Sequence, residues 1–553
     1  MAQAHVLSAG VRGGQALARV AAGLLFALPL AAAVPLALHE AADAGAWRAL
    51  ASDPQTLPAA WLALSSAVLG TAIAAALALW LTTALHGSPA WQRLSAALAP
   101  MLALPHAAFA IGLAWLVAPT GAIARALAAL LGWQAPPPWQ SVNDPWALGL
   151  TAVLVFKELP FILWNMAALL ARPEVAADIE RQVAVARTMG YDRRSWWWRV
   201  GWPQWSPRLA WPLLAVLAYA LTVVDLGLII GPGSPPTLAV LAYADLQAGS
   251  PARNARGAAA TVLLALLLAC TVAAVAVAWR VGAATWRRAA TRGRRPAPAR
   301  HGSAGAGWAA PALQVVYALV GVTLLVLSVA GVWTFPAAWP QSLTLEAWRQ
   351  VHAAADSVGF TAALAASASL AALVLTVAWL EATPPRWDRR ASVLVLAPLV
   401  LPPLLLMAGL YQGALYLRLD GSWLGLAWVH TLVVLPYSFI TLQPAWRSFD
   451  PRYEPVALAL GRRRWAFWWR VKWPLLAAPL AASAAVGFAV SVAQFLATQF
   501  LGAGRHATVT TEAVTLASGG QRTLAAAFAL LQALLPLAGF AAAAWVRRRT
   551  MHR

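Results

Sequence analysis

Residues 190–203 read GYDRRSWWWRVGWP, and residues 461–474 read GRRRWAFWWRVKWP. The first stretch packs five aromatic and four charged side chains into fourteen positions of a chain otherwise rich in alanine and leucine. Over 185–203 and 456–474, ten of nineteen positions are identical. A match of this quality at one fixed separation predicts an internal repeat, so the chain consists of two similar halves.

The composition is that of a membrane protein. Of 553 residues 61% are hydrophobic and 11% charged, whereas soluble domains carry about 25% charged residues. A bilayer core needs about 20 consecutive apolar residues per helix, and the sequence predicts twelve such spans. They lie near 17–38, 59–85, 94–118, 146–170, 206–231, 257–279, 311–335, 357–380, 391–416, 421–445, 474–500 and 523–546. The predicted fold class is an all-α polytopic membrane protein.

The formal charge of +21 follows the predicted membrane topology rather than a nucleic-acid surface. Of the 40 Lys and Arg residues, 31 lie at the termini and in alternate loops, 8 in the intervening loops, and Lys157 within a span. Cytoplasmic loops carry an excess of Lys and Arg. We therefore expect both termini and the even-numbered loops to be cytoplasmic.

Both copies of the repeated stretch follow the fourth span of a set of six, so the two halves have the same orientation in the membrane. Such a layout is a parallel repeat. The predicted organisation is a first repeat at 1–280, a basic flexible linker at 281–310 and a second repeat at 311–553. The linker assignment rests on its content of Arg, Pro, Gly and Ala.

The repeated loops, 173–205 and 446–474, predict a helix, a turn at a glycine and a second short helix that mixes aromatic and basic side chains. Tryptophans near a membrane often serve only as interfacial anchors. Anchoring does not require the same spacing of glycine, arginine, two tryptophans, arginine and proline in both halves. The repetition favours a surface on which another protein docks.

These residues resemble a known family. With AVARTMG at 184–190, PVALALG at 455–461 and a proline thirteen residues after each glycine, the loops are similar to those of permease subunits of binding-protein-dependent ABC importers. KELPFILW at 157–164 and LPYSFITLQPAWRSFDPRYE at 435–454 are also similar to segments of this family. The two-in-one layout resembles the fused permeases of thiamine and ferric-iron importers.

The resemblance implies the type I importer permease fold, with one coupling helix in each loop that docks on a separate ATPase subunit. The implied docking residues are Gly190, Arg193, Trp197, Trp198 and Arg199, and in the second loop Gly461, Arg464, Trp468, Trp469 and Arg470. The family's loop has a glutamate six residues before the glycine. Here Ala184 and Pro455 occupy those positions, and Glu180 and Glu454 lie nearby but out of register.

The chain is not expected to be an enzyme. A phosphate-binding loop needs Gly-Lys followed by Ser or Thr, and the two lysines lie in FKEL and VKWP. We expect no catalytic residue, cofactor or metal site, two copies of a cytoplasmic ABC ATPase as partners, and a periplasmic substrate-binding protein. The expected location is the bacterial inner membrane.

Four polar residues within the spans are candidates for the translocation path, because ionisable groups in a membrane are costly. Lys157 and Glu158 are adjacent in the fourth span, and the alternative for them is a structural role between helices. Asp225 and Gln494 occupy comparable places in the fifth spans of the two halves. For His106 and His430 we expect interhelical hydrogen bonds.

The importer permease is the predicted function, and a thiamine-like or ferric-iron-like solute is the favoured cargo. The first alternative is a twelve-span secondary carrier driven by an ion gradient, since two parallel six-span halves also describe that architecture. The second is a membrane enzyme acting on lipid-linked substrates, which needs His, Asp or Glu clustered at one membrane face. The repeated cytoplasmic loop favours the importer over both.

Overall fold

A computed structural model describes residue 20 and residues 23–291 and 304–551. The start of the first predicted span and residues 292–303 of the predicted linker lie outside the described residues; residues 281–290 and 304–310 of that linker are helical. The chain forms two compact units. One comprises residues 43–343, and the other combines residues 1–42 with residues 344–553.

Fourteen helices make up the described part of the unit 43–343, with short π and 3₁₀ turns at Trp197–Gly201 and Ser206–Leu209. They are α2 Ala44–Ser52, α3 Thr56–Leu85, α4 Pro89–Ala103, α5 His106–Val117, α6 Ala122–Leu131, α7 Leu148–Leu170, α8 Pro173–Thr188, α9 Arg193–Trp196, α10 Trp202–Trp205, α11 Ala210–Thr222, α12 Asp225–Ile230, α13 Leu238–Leu246, α14 Pro251–Ala290 and α15 Ala304–Ser328. An isolated β-bridge joins Ala330 and Leu343.

The other unit begins with a π turn at Gly23–Ala27 and helix α1, Leu28–Glu40. It continues with α16 Glu346–Ala353, α17 Ala355–Ala382, α18 Asp388–Val395, α19 Pro403–Tyr416, α20 Trp423–Arg447, α21 Tyr453–Ala459, α22 Arg464–Phe467, α23 Trp473–Val492, α24 Leu496–Leu501, α25 Val509–Ser518 and α26 Arg522–Met551. A π turn at Trp468–Lys472 and 3₁₀ turns at Pro385–Trp387 and Ala397–Leu399 connect some of them.

Ten helical segments in the described part of the chain are long and apolar enough to cross a membrane. A pair bent by 98°, Pro385–Leu399 with Pro403–Tyr416, can form an eleventh span. The predicted span near 206–231 is not continuous, because it is divided at Val223 and Val224 into α11 and α12. The chain is therefore an all-α, multi-pass membrane protein with interruptions in some of its spans.

The first helix of each predicted half packs against a helix in the third predicted span of the opposite half. In one unit α1 packs against α19, and a Cβ built on Gly409 would lie 1.8 Å from the main-chain oxygen of Ala33. In the other, α15 packs against α5, and a Cβ on Gly112 would lie 2.7 Å from Val320 Cγ1. The two glycines occupy matching places in LPHAAFAIGL (104–113) and LPPLLLMAGL (401–410).

Candidate docking loops and membrane polar groups

We define docking loop 1 as residues 173–205 and docking loop 2 as residues 446–474. Each turns at a glycine in the left-handed region, with φ of 80° at Gly190 and 74° at Gly461. After each glycine the next main-chain N–H returns to the preceding helix: Tyr191 donates to Ala186 O and Arg462 to Ala457 O. Glycine adopts this conformation without steric cost, which explains why the repeat keeps it.

Docking loop 1 has a hydrophobic interior built on two tryptophans. Trp197, one of the predicted docking residues, is 1% exposed. With Trp196 it belongs to a buried cluster whose other members are Leu170, Val175, Ile179, Val183 and Trp205. Trp198 and Arg199 are partly exposed, and the main-chain oxygen of Trp198 accepts a hydrogen bond from Trp286.

Docking loop 2 presents more of its aromatic surface. Trp469 is 56% exposed and Arg470 is exposed. Trp468 is partly buried, and its ring lies beside those of Trp446 and Trp473. Phe467 takes the buried place that Trp196 has in loop 1. The two loops thus share their turn and backbone path but expose different parts of the repeated pattern.

The out-of-register glutamates pair with the repeated arginines. Arg193 Nη2 lies 3.0 Å from Glu180 Oε1, and Arg464 Nε lies 2.8 Å from Glu454 Oε1. The glycine turn folds the short helix back toward the preceding one, so carboxylates thirteen and ten residues earlier come within reach. Sequence spacing alone had suggested that these carboxylates stood outside the motif.

Each loop is also connected to the end of a long helix in its own unit. Arg193 Nη2 lies 3.1 Å from Nδ1 of His86, which follows α3. Burial and the nearby Arg193 guanidinium lower the pKa of His86 from 6.5 to about 4. In loop 2, Lys472 donates to Glu381 of α17 at 2.5 Å. Sequence reasoning missed both links, because nothing local to His86 or Glu381 indicates which loop it contacts.

Lys157 and Glu158, the adjacent candidates in α7, have separate partners. Lys157 is 2% exposed and donates to the main-chain oxygens of Leu104 at 2.6 Å and Met101 at 3.3 Å. These carbonyls lie where α4 ends, before Pro105, and carbonyls at a helix end need a donor from elsewhere. The Lys157 ammonium therefore caps the end of α4.

Glu158 faces His106, which begins α5. Glu158 Oε1 lies 3.4 Å from His106 Nε2, and α12, which begins at Asp225, packs against both α5 and α7. The ring of Tyr219 packs on His106 at a centroid distance of 4.9 Å. His106 thus lies beside one of the candidate path residues, on a neighbouring helix.

The corresponding region of the other unit is polar without being charged. Gln494 is partly buried in the break between α23 and α24, and its amide donates to Val490 O. His430 is fully buried, with Nδ1 2.8 Å from Ser491 Oγ and Nε2 3.1 Å from Thr498 Oγ1. These bonds between helices are those expected of His430. Within the described residues, no three His, Cys, Asp or Glu side chains are placed to hold a metal ion.

An all-α, multi-pass chain with two equivalent turn-and-helix loops has the architecture of a transporter membrane subunit. The chain is similar to the "Inner membrane ABC transporter permease protein YnjC" of Escherichia coli (strain K12), with 38% identity over 510 residues. The alignment covers 91% of this chain and 90% of YnjC. The chain belongs to the ABC transporter permeases.

Two further relatives match shorter parts of the chain. The "Molybdenum transport system permease protein ModB" of Mycobacterium tuberculosis is 35% identical over 125 residues, 20% of this chain and 47% of the relative. The "Sulfate transport system permease protein CysT" of Escherichia coli is 32% identical over 85 residues, 15% of this chain and 31% of the relative. No protein-family model matches the chain.

Proposed function

We propose that this chain is the membrane subunit of an ABC importer and that docking loops 1 and 2 each receive one copy of a cytoplasmic ATPase. The observation that carries the proposal is that three features recur in both loops. They are the glycine turn, the main-chain hydrogen bond from the residue after that glycine to the carbonyl oxygen five residues earlier, and an arginine–glutamate pair. Membership in the permease family supports it independently.

Within this proposal the ten predicted docking residues divide into two groups. Trp198, Arg199, Trp469 and Arg470 have exposed surface and are the direct contacts. The turns are formed by Gly190 and Gly461 and are held by Arg193 and Arg464. Trp197 supports its short helix from the buried interior of loop 1, and Trp468 supports its own by packing beside Trp446. A side chain that is 1% exposed cannot contact a second subunit unless the loop opens.

We propose that ATP-driven closure of the ATPases moves the docking loops, and that the loops move the bundle by alternating access. The contacts of Arg193 with His86 and of Lys472 with Glu381 support this, since each joins a loop to the end of a long helix. The proposed repeats remain 1–280 and 311–553, with the linker at 281–310. As part of the same proposal, the chain lies in the inner membrane, the location given in the name of its relative YnjC. Both termini are proposed to be cytoplasmic.

The proposed cargo is a small solute delivered by a periplasmic binding protein and released into a path that includes Asp225, Glu158 and Gln494. Lys157 has the structural role described above. A thiamine-like or ferric-iron-like solute remains our favoured class. The names of ModB and CysT suggest molybdenum or sulfate as the competing class, and these relatives match no more than a fifth of the chain.

The decisive experiment is to purify the chain from its native membrane in mild detergent and to measure which proteins accompany it, and in what ratio. We expect two ATPase copies per chain. A chain that purifies alone and transports its solute with an ion gradient would be a secondary carrier, and the proposal would then be wrong.

A second experiment tests the docking surface. Alanine at Trp198, Arg199, Trp469 and Arg470 should abolish ATPase binding without preventing membrane insertion. Trp308→Ala, which removes an equally large side chain that is 80% exposed on α15, is the matched control. Full transport by the fourfold variant would exclude these residues as the docking contacts.

A further inference from the structure

A polar cluster interrupts the apolar interior of the unit formed by residues 43–343. Its members are His106, Glu158 and Asp225, which lie on α5, α7 and α12, three helices in mutual contact. Two of these helices begin at breaks in longer segments, at Leu104–Pro105 and at Val223–Val224. Irregular backbone at such breaks is tolerated in a membrane where it is buried or lines a cavity, and it often marks a solute site.

Glu158 has a buried oxygen that makes no hydrogen bond. Its side chain is only 7% exposed, and Oε1, which lies 3.4 Å from His106 Nε2, accepts no hydrogen bond. A buried carboxylate oxygen without a donor is unfavourable. The neighbouring Lys157 does not supply one, because its ammonium donates to carbonyls at the end of α4. Glu158 therefore presents an acceptor that a donor on a ligand can satisfy.

The cluster is accessible and contains two carboxyl groups. The side chain of His106 is 40% exposed, and Asp225 is partly exposed. The two carboxyl groups belong to Glu158 and Asp225, while the neighbouring Lys157 ammonium is bonded to carbonyls at the end of α4. Carboxylates attract a cation and repel an oxyanion. The ring of Tyr219 beside His106 adds an aromatic surface of the kind that organic cations favour.

We propose that His106, Glu158 and Asp225 form a recognition point for a positively charged group of the transported solute, such as an ammonium or a cationic heterocycle. The cation donates to, or is neutralised by, Glu158 and Asp225 as it passes. This inference rests on the proposed importer function and favours a cationic cargo over the competing oxyanions. In the other unit, the break between α23 and α24 holds Gln494, which is uncharged.

The test uses the complex purified from its native membrane and placed in lipid nanodiscs. Equilibrium binding is measured for two organic cations of different size, tetramethylammonium and thiamine, and for two oxyanions, sulfate and molybdate. We expect the cations to bind and the oxyanions not to bind. Glu158→Gln and Asp225→Asn should each weaken cation binding by at least about tenfold, because each removes one charge-assisted interaction.

Two controls separate recognition from folding. Asp225→Glu keeps the charge and should retain most of the cation binding, and Glu346→Gln changes an exposed carboxylate outside the cluster. As a readout that needs no variant, carbodiimide labelling of Glu158 in the unmodified chain should be slowed by tetramethylammonium and not by sulfate.

Three results would overturn the inference: binding of an oxyanion, no binding of either cation to the unmodified complex, or unchanged cation binding in both neutral variants. Failure of the chain to purify with an ATPase would instead overturn the proposed function. The two failures are therefore distinguishable.

Discussion

Lys472 connects docking loop 2 to α17, and removing its charge should loosen that loop selectively. Its ammonium lies 2.5 Å from Glu381 Oε2 and 4.5 and 4.6 Å from the ring centroids of Trp446 and Trp468. A hydrogen bond to a charged group contributes about 1.5–3 kcal/mol, and a methionine side chain at this position keeps its packing against the tryptophan rings. Since the Glu381 side chain is 27% exposed and regains hydration, we expect Lys472→Met to cost about 2 kcal/mol.

Hydrogen exchange followed by mass spectrometry measures this cost directly. A change of about 2 kcal/mol in opening free energy accelerates amide exchange roughly 30-fold, and we expect this in the π turn Trp468–Lys472. Glu381→Gln should have a similar effect, and the double variant should exchange little faster than either single variant, because both remove the same contact.

Docking loop 1 is the internal control for this experiment, because Gly201 stands there at the position of Lys472. Its π turn, Trp197–Gly201, should exchange at the unmodified rate in all three variants. Unchanged protection in loop 2, or equal acceleration in both loops, would refute the assignment of Lys472 as a link.

Three further predictions concern packing and protonation. Gly409→Val should reduce the yield of monodisperse protein in detergent, because its Cβ would overlap Ala33 O, whereas Gly413→Ala, whose Cβ meets only Leu36 at 3.5 Å, should be tolerated. Because the pKa of His86 is lowered to about 4 in the folded chain, only the unfolded chain binds this proton between pH 6.5 and 4. Exchange protection of docking loop 1 should thus be complete above pH 6.5 and decline as pH falls toward 4, and His86→Phe should remove that decline. Lys157→Met should lower the thermal midpoint of the purified chain, since it leaves the carbonyls of Met101 and Leu104 without a donor, while Asp225→Asn should change that midpoint little.

Hydropathy and the repeated loops were enough to predict the class of fold. A span needs a run of apolar residues, and a left-handed turn favours glycine, so both leave local traces in a sequence. The interruption at Val223 and Val224 left no such trace, because both residues are apolar and continue the hydropathy of the segment. The division of that span depends on how α11 and α12 pack with their neighbours.

Side-chain roles within the loops were harder to predict. Trp197 and Trp198 are adjacent and identical in type, yet the first lies in a hydrophobic cluster and the second is partly exposed. The direction of a side chain from a short helix depends on what covers that helix. For the same reason Glu180 and Glu454 looked unrelated to the motif, although both reach the repeated arginine.

The sequence by itself determined that this chain crosses a membrane many times, that it repeats one loop pattern in two places and that its loops differ in charge. Those properties depend on local composition and on repetition along the chain. Tertiary structure decided that α1 packs with α19 and α15 with α5, that Lys157 caps α4, and that His106 lies beside Glu158. Contacts of this kind join residues distant in sequence, and they form only where close packing brings helices together and leaves buried polar groups in need of partners.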